Sequence, residues 1–388
     1  MSCPRIEVDL AKIRRNTQTL VSRLGPRGIS VTGVTKAVCG HPTIARAMLE
    51  GGAVGLADAR ITNVQRLRAA GLTDPITLIR TPMLSQADHI VQSCETSYNT
   101  EMLVITALAA TAIRKGAVHG IVLMVEMGDQ RDGILPENLA DIAQQVMQMS
   151  GVALKGISAN FACLNGLAPT ALQMAAFCDL ANEIEGVCGP FLKIVSGGNS
   201  ANLPWALGEH ATGRVNDLRL GEAILLGVEP VSGDRIDGMY TDAFTLVAEV
   251  IETGSKPAPS AIALVNPTLA RRRIAQASGV SKRFIVAMGH QDTDILGLSM
   301  PVGSTLIGAT SDHLVIGMPG TPPPLGSEVR FHLNYNALMH AMAAPDIEVT
   351  LLGDQSMRPS RHTQGEVGHL ALVLKTSLGP ADLNHKGN

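Results

Sequence analysis

Apolar and polar positions follow two alternating periods from about residue 10 to residue 228. Short runs rich in Val, Ile, Leu and Ala predict buried parallel strands, and the amphipathic stretches between them predict helices. The strands are expected near 29–36, 53–58, 75–81, 94–98, 119–127, 154–162, 191–196 and 217–221. Eight strand–helix units in this order predict an α/β fold whose first domain, residues 10–228, is a (β/α)8 barrel.

The pattern changes after about residue 229, where long helical periods fade. β-branched runs such as Phe244–Ile251, Arg283–Met288 and Val329–Leu333 alternate with Gly and Pro turns. This alternation predicts a second, β-rich domain over residues 229–388.

Composition and charge give no support for nucleic-acid binding, a membrane span or a secreted protein. With 388 residues, 45% hydrophobic and 17% charged, the chain is globular, and its net charge of −3 gives no electrostatic reason to expect nucleic acid. No apolar run approaches the roughly 20 residues of a membrane span, and the N-terminus lacks a signal-peptide core. Six cysteines without paired spacing predict free thiols and a cytoplasmic protein.

Polar side chains cluster where the predicted strands end. In a (β/α)8 barrel the chemistry gathers at the carboxyl ends of the strands. Lys36 follows the first barrel strand, and a lysine desolvated there can lose its proton and form a Schiff base; the alternative is an ordinary solvated lysine. The other strand-end candidates are Arg131, Asn160, Ser200 and Arg219.

Several motifs then share an order and spacing that resemble the alanine racemase superfamily, the fold-type III pyridoxal-phosphate (PLP) enzymes. They are Val34-Thr35-Lys36, Gly55-Leu56-Ala57-Asp58-Ala59-Arg60, Ser196-Gly197-Gly198-Asn199-Ser200, Leu218-Arg219-Leu220-Gly221-Glu222, Gly289-His290-Gln291-Asp292 and Gly308-Ala309-Thr310-Ser311-Asp312-His313. The resemblance is nearest to the alanine/ornithine racemase-like branch. It implies a PLP-dependent amino-acid racemase, a homodimer with shared active sites, and a strand near Arg5–Val8 that joins the second domain.

The resemblance also implies how the cofactor is held. Lys36 would bind PLP covalently and serve one face of the substrate Cα. Ser200, Gly221 and Glu222 would form a cup for the phosphate, with Glu222 contributing its backbone. Arg219 would face the pyridine nitrogen, and because arginine does not deprotonate it would leave that nitrogen unprotonated. Asn160 stands where many relatives place a histidine against the ring.

The chain departs from alanine racemases at the second half of the site. His290 occupies the place of the tyrosine that serves the opposite face of Cα, and imidazole suits that task because its pKa lies near neutrality. Arg131 matches the arginine beside the substrate carboxylate. Met124 stands where alanine racemases carry a carbamylated lysine. Ser311 and Asp312 match a loop that reaches the partner's site.

Three hypotheses follow. The first is a racemase for ornithine or another basic amino acid, with alanine, serine and lysine also open. The second is a metal-assisted PLP lyase of the D-threonine aldolase or D-serine dehydratase type, for which His290 and Asp292 offer two ligands but no third residue is evident. The third is a non-catalytic PLP-binding protein, which the β-rich second domain disfavours. The first hypothesis needs no metal.

Overall fold

The computed structural model describes residues 4–189, 192–257 and 280–353. Strand β1 (Arg5–Asp9) precedes a closed barrel in which each strand pairs in parallel with the next and the last returns to the first. The barrel strands are β2 (Ser30–Val34), β3 (Gly55–Asp58), β4 (Ile76–Leu78), β5 (Thr96–Asn99), β6 (His119–Val125), β7 (Val152–Ala159), β8 (Ile194–Ser196) and β9 (Asp217–Leu220). All eight predicted strands and the predicted fold class are confirmed.

Helices cover the outside of the barrel. They are α1 (Leu10–Leu24), α2 (Pro42–Glu50), α3 (Ile61–Ala69), α4 (Ala87–Ser93), α5 (Met102–Arg114), α6 (Pro136–Gln148), α7 (Ala171–Cys188), α8 (Leu203–Leu207) and α9 (Glu222–Leu226). Because helices pack outside and side chains fill the lumen, a barrel strand is covered on both faces. All seven residues of β6 are accordingly buried, which explains its continuous apolar run.

A separate eight-stranded sheet follows the barrel. Its strands are β10 (Phe244–Pro257), β11 (Val280–Val286), β12 (Leu298–Ser299), β13 (Thr305–Ala309), β14 (Leu314–Gly317), β15 (Glu328–Leu333) and β16 (Glu348–Leu352), joined by β1. Exposed and buried positions alternate strictly along β15, as expected where only one face packs on a core. β1 lies between β10 and β16, so the predicted N-terminal strand joins this sheet.

Helix α10 (Tyr335–Ala343) interrupts the second domain, where helical periods were expected to fade. Asn334 caps its start by accepting a hydrogen bond from the Ala337 amide, 3.0 Å away. The helix packs against the 3₁₀ turn Lys36–Val38 that follows β2. The second domain therefore covers part of the barrel mouth.

The predicted domain boundary at residues 228 and 229 stays a prediction. Part of the second predicted domain, residues 258–279 and 354–388, lies outside the described residues. No helix in the described part of the chain has the length and apolar character needed to cross a bilayer.

Candidate active site

A cavity of about 1500 Å³ opens at the carboxyl end of the barrel. Strand ends and barrel loops form one wall, and residues of the second domain, Tyr335 and Leu296 among them, form another. Seven of the residues selected from the sequence line this one cavity: Lys36, Arg131, Asn160, Ser200, Arg219, Gly221 and Glu222. Their roles stay predictions, but their convergence is a property of the fold.

Lys36 begins the turn after β2 and is half-buried. The preceding residue, Thr35, donates a hydrogen bond of 2.7 Å to the carboxylate of Asp58. Asp58 is fully buried and also accepts from the Arg60 amide and the Asn63 side chain. Its burial raises its pKa, and the three donors oppose that shift. Asp58 thus fixes the backbone from which the lysine projects, whereas Arg60 is exposed.

Arg219 lies on β9 with only 4% of its surface exposed. Its Nη1 donates to the hydroxyls of Ser158 and Ser196, at 2.7 and 2.6 Å. Its Nη2 donates to the Ala159 carbonyl at 2.9 Å and more weakly to Asn160 Oδ1 at 3.5 Å. The guanidinium also lies 5.0 Å from the centre of the Tyr98 ring. No hydrogen bond from its Nε–H is found within the described residues, and Arg219 lines the cavity.

The loop between β8 and α8 is shaped by its own amides. Gly198 has φ +137°, and a Cβ there would lie 2.2 Å from Asn202 Oδ1. Asn199 Oδ1 accepts from the Ala201 amide at 2.8 Å. Ser200 Oγ accepts from the Ala223 amide at 3.2 Å, which ties the loop to the start of α9. Ser200 and Glu222 line the cavity where the 3₁₀ turn Ser200–Asn202 and helix α9 begin, and the first N–H groups of a helix have no partner within it.

Arg131 lies on the β6–α6 loop and pairs with its neighbour. Its Nε donates to Asp132 Oδ1 at 2.6 Å, and Thr81 donates to the other oxygen of Asp132 at 3.2 Å. This pairing raises the pKa of Arg131 despite the opposing effect of its burial. Met124 is buried and lines the cavity.

Two carboxyl groups line the cavity within the described residues, those of Asp132 and Glu222. Burial raises the pKa of Glu222 to about 7, the charge of Glu229 acts in the same direction, and Lys36 opposes it. A carboxyl with that pKa exchanges protons near neutrality.

Comparison with known proteins identifies the family of the chain. The model for the alanine racemase N-terminal domain matches residues 8–230. The chain belongs to the alanine racemase family. It is 31% identical to the ornithine racemase of Acetoanaerobium sticklandii over 90% of this chain and 99% of that one. It is 32% identical to the lysine racemase of Thermotoga maritima over 90% and 98%.

Solved structures agree on the fold. An alanine racemase from Streptomyces lavendulae superposes with a TM-score of 0.72 at 19% identity, covering 92% of this chain and 99% of its own. A D-threonine aldolase from Filomicrobium marinum gives 0.69 at 15% identity, with 88% of each chain covered. These likenesses concern the fold alone. With the family established, the chain is a PLP-dependent amino-acid racemase, an isomerase.

The cavity residues fit PLP. The cofactor presents an aldehyde, a phosphate and a ring nitrogen, which require an amine, exposed N–H groups and a hydrogen-bond partner. The half-buried Lys36, the Gly198 loop and the unpaired Nε–H of Arg219 provide these three groups around one cavity. Arg219 is therefore built to donate, since an arginine cannot accept a proton from the ring.

His290, Ser311 and Asp312 lie outside this cavity. Two backbone hydrogen bonds of 2.9 Å, from His290 to Thr310 and from Gln291 to Ser311, bring them together on loops of the second sheet. All three side chains are exposed. The Ser311 hydroxyl and the His313 imidazole hold the pKa of Asp312 below its usual range. The structure thus forms two separate clusters on one chain.

Tyr335 was not selected from the sequence, because it lies in no segment that matches the family motifs. It stands at the first turn of α10, lines the cavity, and has its pKa raised by burial and by nearby Glu222. The signal was present: Asn334 is a favoured N-cap, and Ala337-Leu338-Met339 are strong helix formers.

No three His, Cys, Asp or Glu side chains converge as a metal site within residues 4–189, 192–257 and 280–353. Asp292 instead accepts from the Gly289 amide at 2.7 Å. The five cysteines in the described ranges, which exclude Cys3, are free thiols.

Proposed function

We propose that this enzyme racemises a basic amino acid of the ornithine and lysine class. The proposal is supported by two relatives of that specificity, each similar over 90% of the chain. The observation that carries the reaction itself is the convergence of Lys36, Arg219 and Arg131 on one cavity.

When bound, PLP supplies an aldehyde for an imine with the amino group and a ring that stabilises negative charge at Cα. Lys36 holds the cofactor and then moves a proton at one face of Cα through Nζ. The Nε–H of Arg219 would donate to the ring nitrogen of bound PLP, and because arginine keeps its proton, that nitrogen would stay unprotonated. Asn160 supports this arginine from the barrel side by accepting from Nη2.

The guanidinium of Arg131 binds the substrate carboxylate. Its Nε is occupied by Asp132, so its two terminal nitrogens are the ones available to the ligand. A planar pair of N–H donors matches a carboxylate. The alternative, a loop arginine that serves only Asp132, predicts normal substrate affinity for Arg131→Ala.

The second proton donor is His290, contributed by a second copy of the chain in a two-fold dimer. This role requires that the cluster of His290, Ser311 and Asp312 face the cavity of another copy, because within one chain it lies elsewhere. Ser311 and Asp312 would then border the substrate. We also propose that the dimer is cytoplasmic, in keeping with its unpaired thiols.

Reduction of the holoenzyme with borohydride, followed by peptide mass spectrometry, tests the covalent link. The label is expected on Lys36 and absent in Lys36→Ala, while the exposed Lys115→Ala serves as matched control. Labelling of another lysine would show that Lys36 is not the residue that binds PLP covalently.

Substrate class is tested by loss of optical rotation with L-ornithine, L-lysine, L-alanine and L-serine at equal concentration. Faster turnover of the first two is expected, and preference for alanine would overturn the basic class. His290→Ala is expected to slow exchange of the Cα proton with solvent deuterium from one enantiomer only. Equal rates from both enantiomers would exclude His290, and a fully active monomer in sedimentation would exclude the shared site.

The alternative of a metal-assisted lyase predicts an activity that depends on a bound divalent metal, whereas the proposed racemisation does not depend on one. Dialysis against a chelator distinguishes the two. Unchanged racemisation, with no aldehyde released from D-threonine, is expected.

A further inference from the structure

Arg219 carries a buried charge whose direct partners are all neutral. Within the described part of the chain, its terminal nitrogens meet two hydroxyls, one carbonyl and one amide oxygen. Taking a guanidinium out of water is costly unless a counter-charge compensates. The hydrogen-bond network connects Arg219 to such a charge, the carboxylate of Asp217, through the hydroxyl of Ser196.

The order of donors in this network is fixed by chemistry. Arginine can only donate, so Ser196 Oγ accepts from Nη1 at 2.6 Å. The hydroxyl proton of Ser196 is then donated to Asp217 Oδ2. Thr32 donates to Asp217 Oδ1 at 2.6 Å. Both oxygens of this carboxylate therefore accept from hydroxyls: Oδ2 from Ser196, which also contacts Arg219, and Oδ1 from Thr32 on β2.

Asp217 stands below the active site. It lines a second cavity of about 310 Å³ in the lower half of the barrel, whose roof includes Arg219 and Tyr98. It does not line the upper cavity that holds Lys36. Asp217 is 8% exposed. The hydrogen bonds that link Asp217 to Arg219 run through Ser196.

We propose that Asp217 is a positioning residue for Arg219, acting through the Ser196 hydroxyl, and that this relay fixes the Nε–H offered to the ring nitrogen of PLP. The inference rests on the proposed role of Arg219. The relay anchors one terminal nitrogen of the guanidinium, and since the group is planar, that anchor sets the direction of Nε–H.

An amide at residue 217 would break the order of donors. Asparagine offers one oxygen and one NH2 in place of two accepting oxygens. If NH2 faces Ser196, the hydroxyl proton of Ser196 loses its acceptor. If NH2 faces Thr32, the hydrogen bond from the Thr32 hydroxyl is lost. In either orientation the counter-charge for the arginine disappears.

Titration of apoenzyme with PLP tests the relay, with absorbance of the bound cofactor as a second readout. Asp217→Asn and Ser196→Ala are each expected to raise the Kd for PLP about tenfold and to shift the absorption band. The double variant should be no worse than either single one, because both changes interrupt one path. Thr77→Val, which lines the same lower cavity outside this network, is the matched control and should leave both readouts unchanged.

Arg219→Lys separates the inference from the proposed function. If it leaves the PLP Kd and the band unchanged, the proposed role of Arg219 falls. If Arg219→Lys alters both while Asp217→Asn and Ser196→Ala alter neither, only the relay is overturned. Additive effects in the double variant would also overturn it. Should Asp217→Asn fail to fold, Ser196→Ala decides by the same criteria.

Discussion

Protonation of His119 is expected to control the acid limit of stability. His119 is the first residue of β6, is 2% exposed, and has its Nε2 2.8 Å from Ser97 Oγ. Burial lowers its pKa to about 4 from 6.5. The unfolded chain therefore takes up a proton below about pH 6.5 that the folded chain refuses, so stability falls as pH falls.

The magnitude follows from linkage. One pKa unit corresponds to about 1.4 kcal/mol, so the full shift is worth about 3.4 kcal/mol, of which about 2.5 kcal/mol is lost between about pH 7.5 and 4.5. Urea unfolding of apoenzyme at several pH values, for wild type and His119→Gln, measures it. The wild type should lose more stability toward acid than the variant by about that amount.

The exposed His89 on α4 provides the matched control, because His89→Gln removes an imidazole that burial does not protect from water. Its pH profile should follow the wild type. Parallel profiles for wild type and His119→Gln would refute the reasoning, since they would mean that the folded chain protonates His119 as readily as the unfolded one.

Three further changes have expected outcomes. Gly198→Ala should destabilise the holoenzyme by about 2 kcal/mol in thermal melts and weaken PLP binding, because its Cβ meets Asn202 at φ +137°; Gly186→Ala, with open space around it, should not. Asp58→Asn should cost about 2 kcal/mol in urea unfolding, since a buried acceptor of three hydrogen bonds is altered, and an unchanged midpoint would contradict this. For Glu222, whose folded pKa is raised to about 7, stability should fall as pH rises from about 4.5 through 7, and Glu222→Gln should remove that fall in the melting temperature of apoenzyme.

The barrel could be predicted because its strands are locally encoded. A strand covered on both faces must be apolar along its whole length, so β6 and its neighbours are visible as short runs between helical periods. The same logic locates Lys36 and Arg219, because a polar residue at the end of such a run can only reach the mouth or the lumen. Their convergence on one cavity required the closure of the barrel.

Helix α10 was not predicted, although the residues that start it favour a helix. The surrounding strands and turns predicted a β-rich region in which long helical periods fade, yet Asn334 and the residues after it form a capped helix. Its position over the turn Lys36–Val38 depends on the packing of the second sheet against the barrel. Tyr335 therefore reaches the cavity through a contact some 300 residues apart in sequence, which no period along the chain reports.

The sequence by itself determined the strand–helix order, the strand-end residues and the family motifs, because each depends on neighbours within a few positions. Only the tertiary structure decided that Ser196 hydrogen-bonds to both Arg219 and Asp217, and that His290 stands apart from Lys36 on the same chain. Those relations are set by strand register and domain packing, which join residues far apart in the chain.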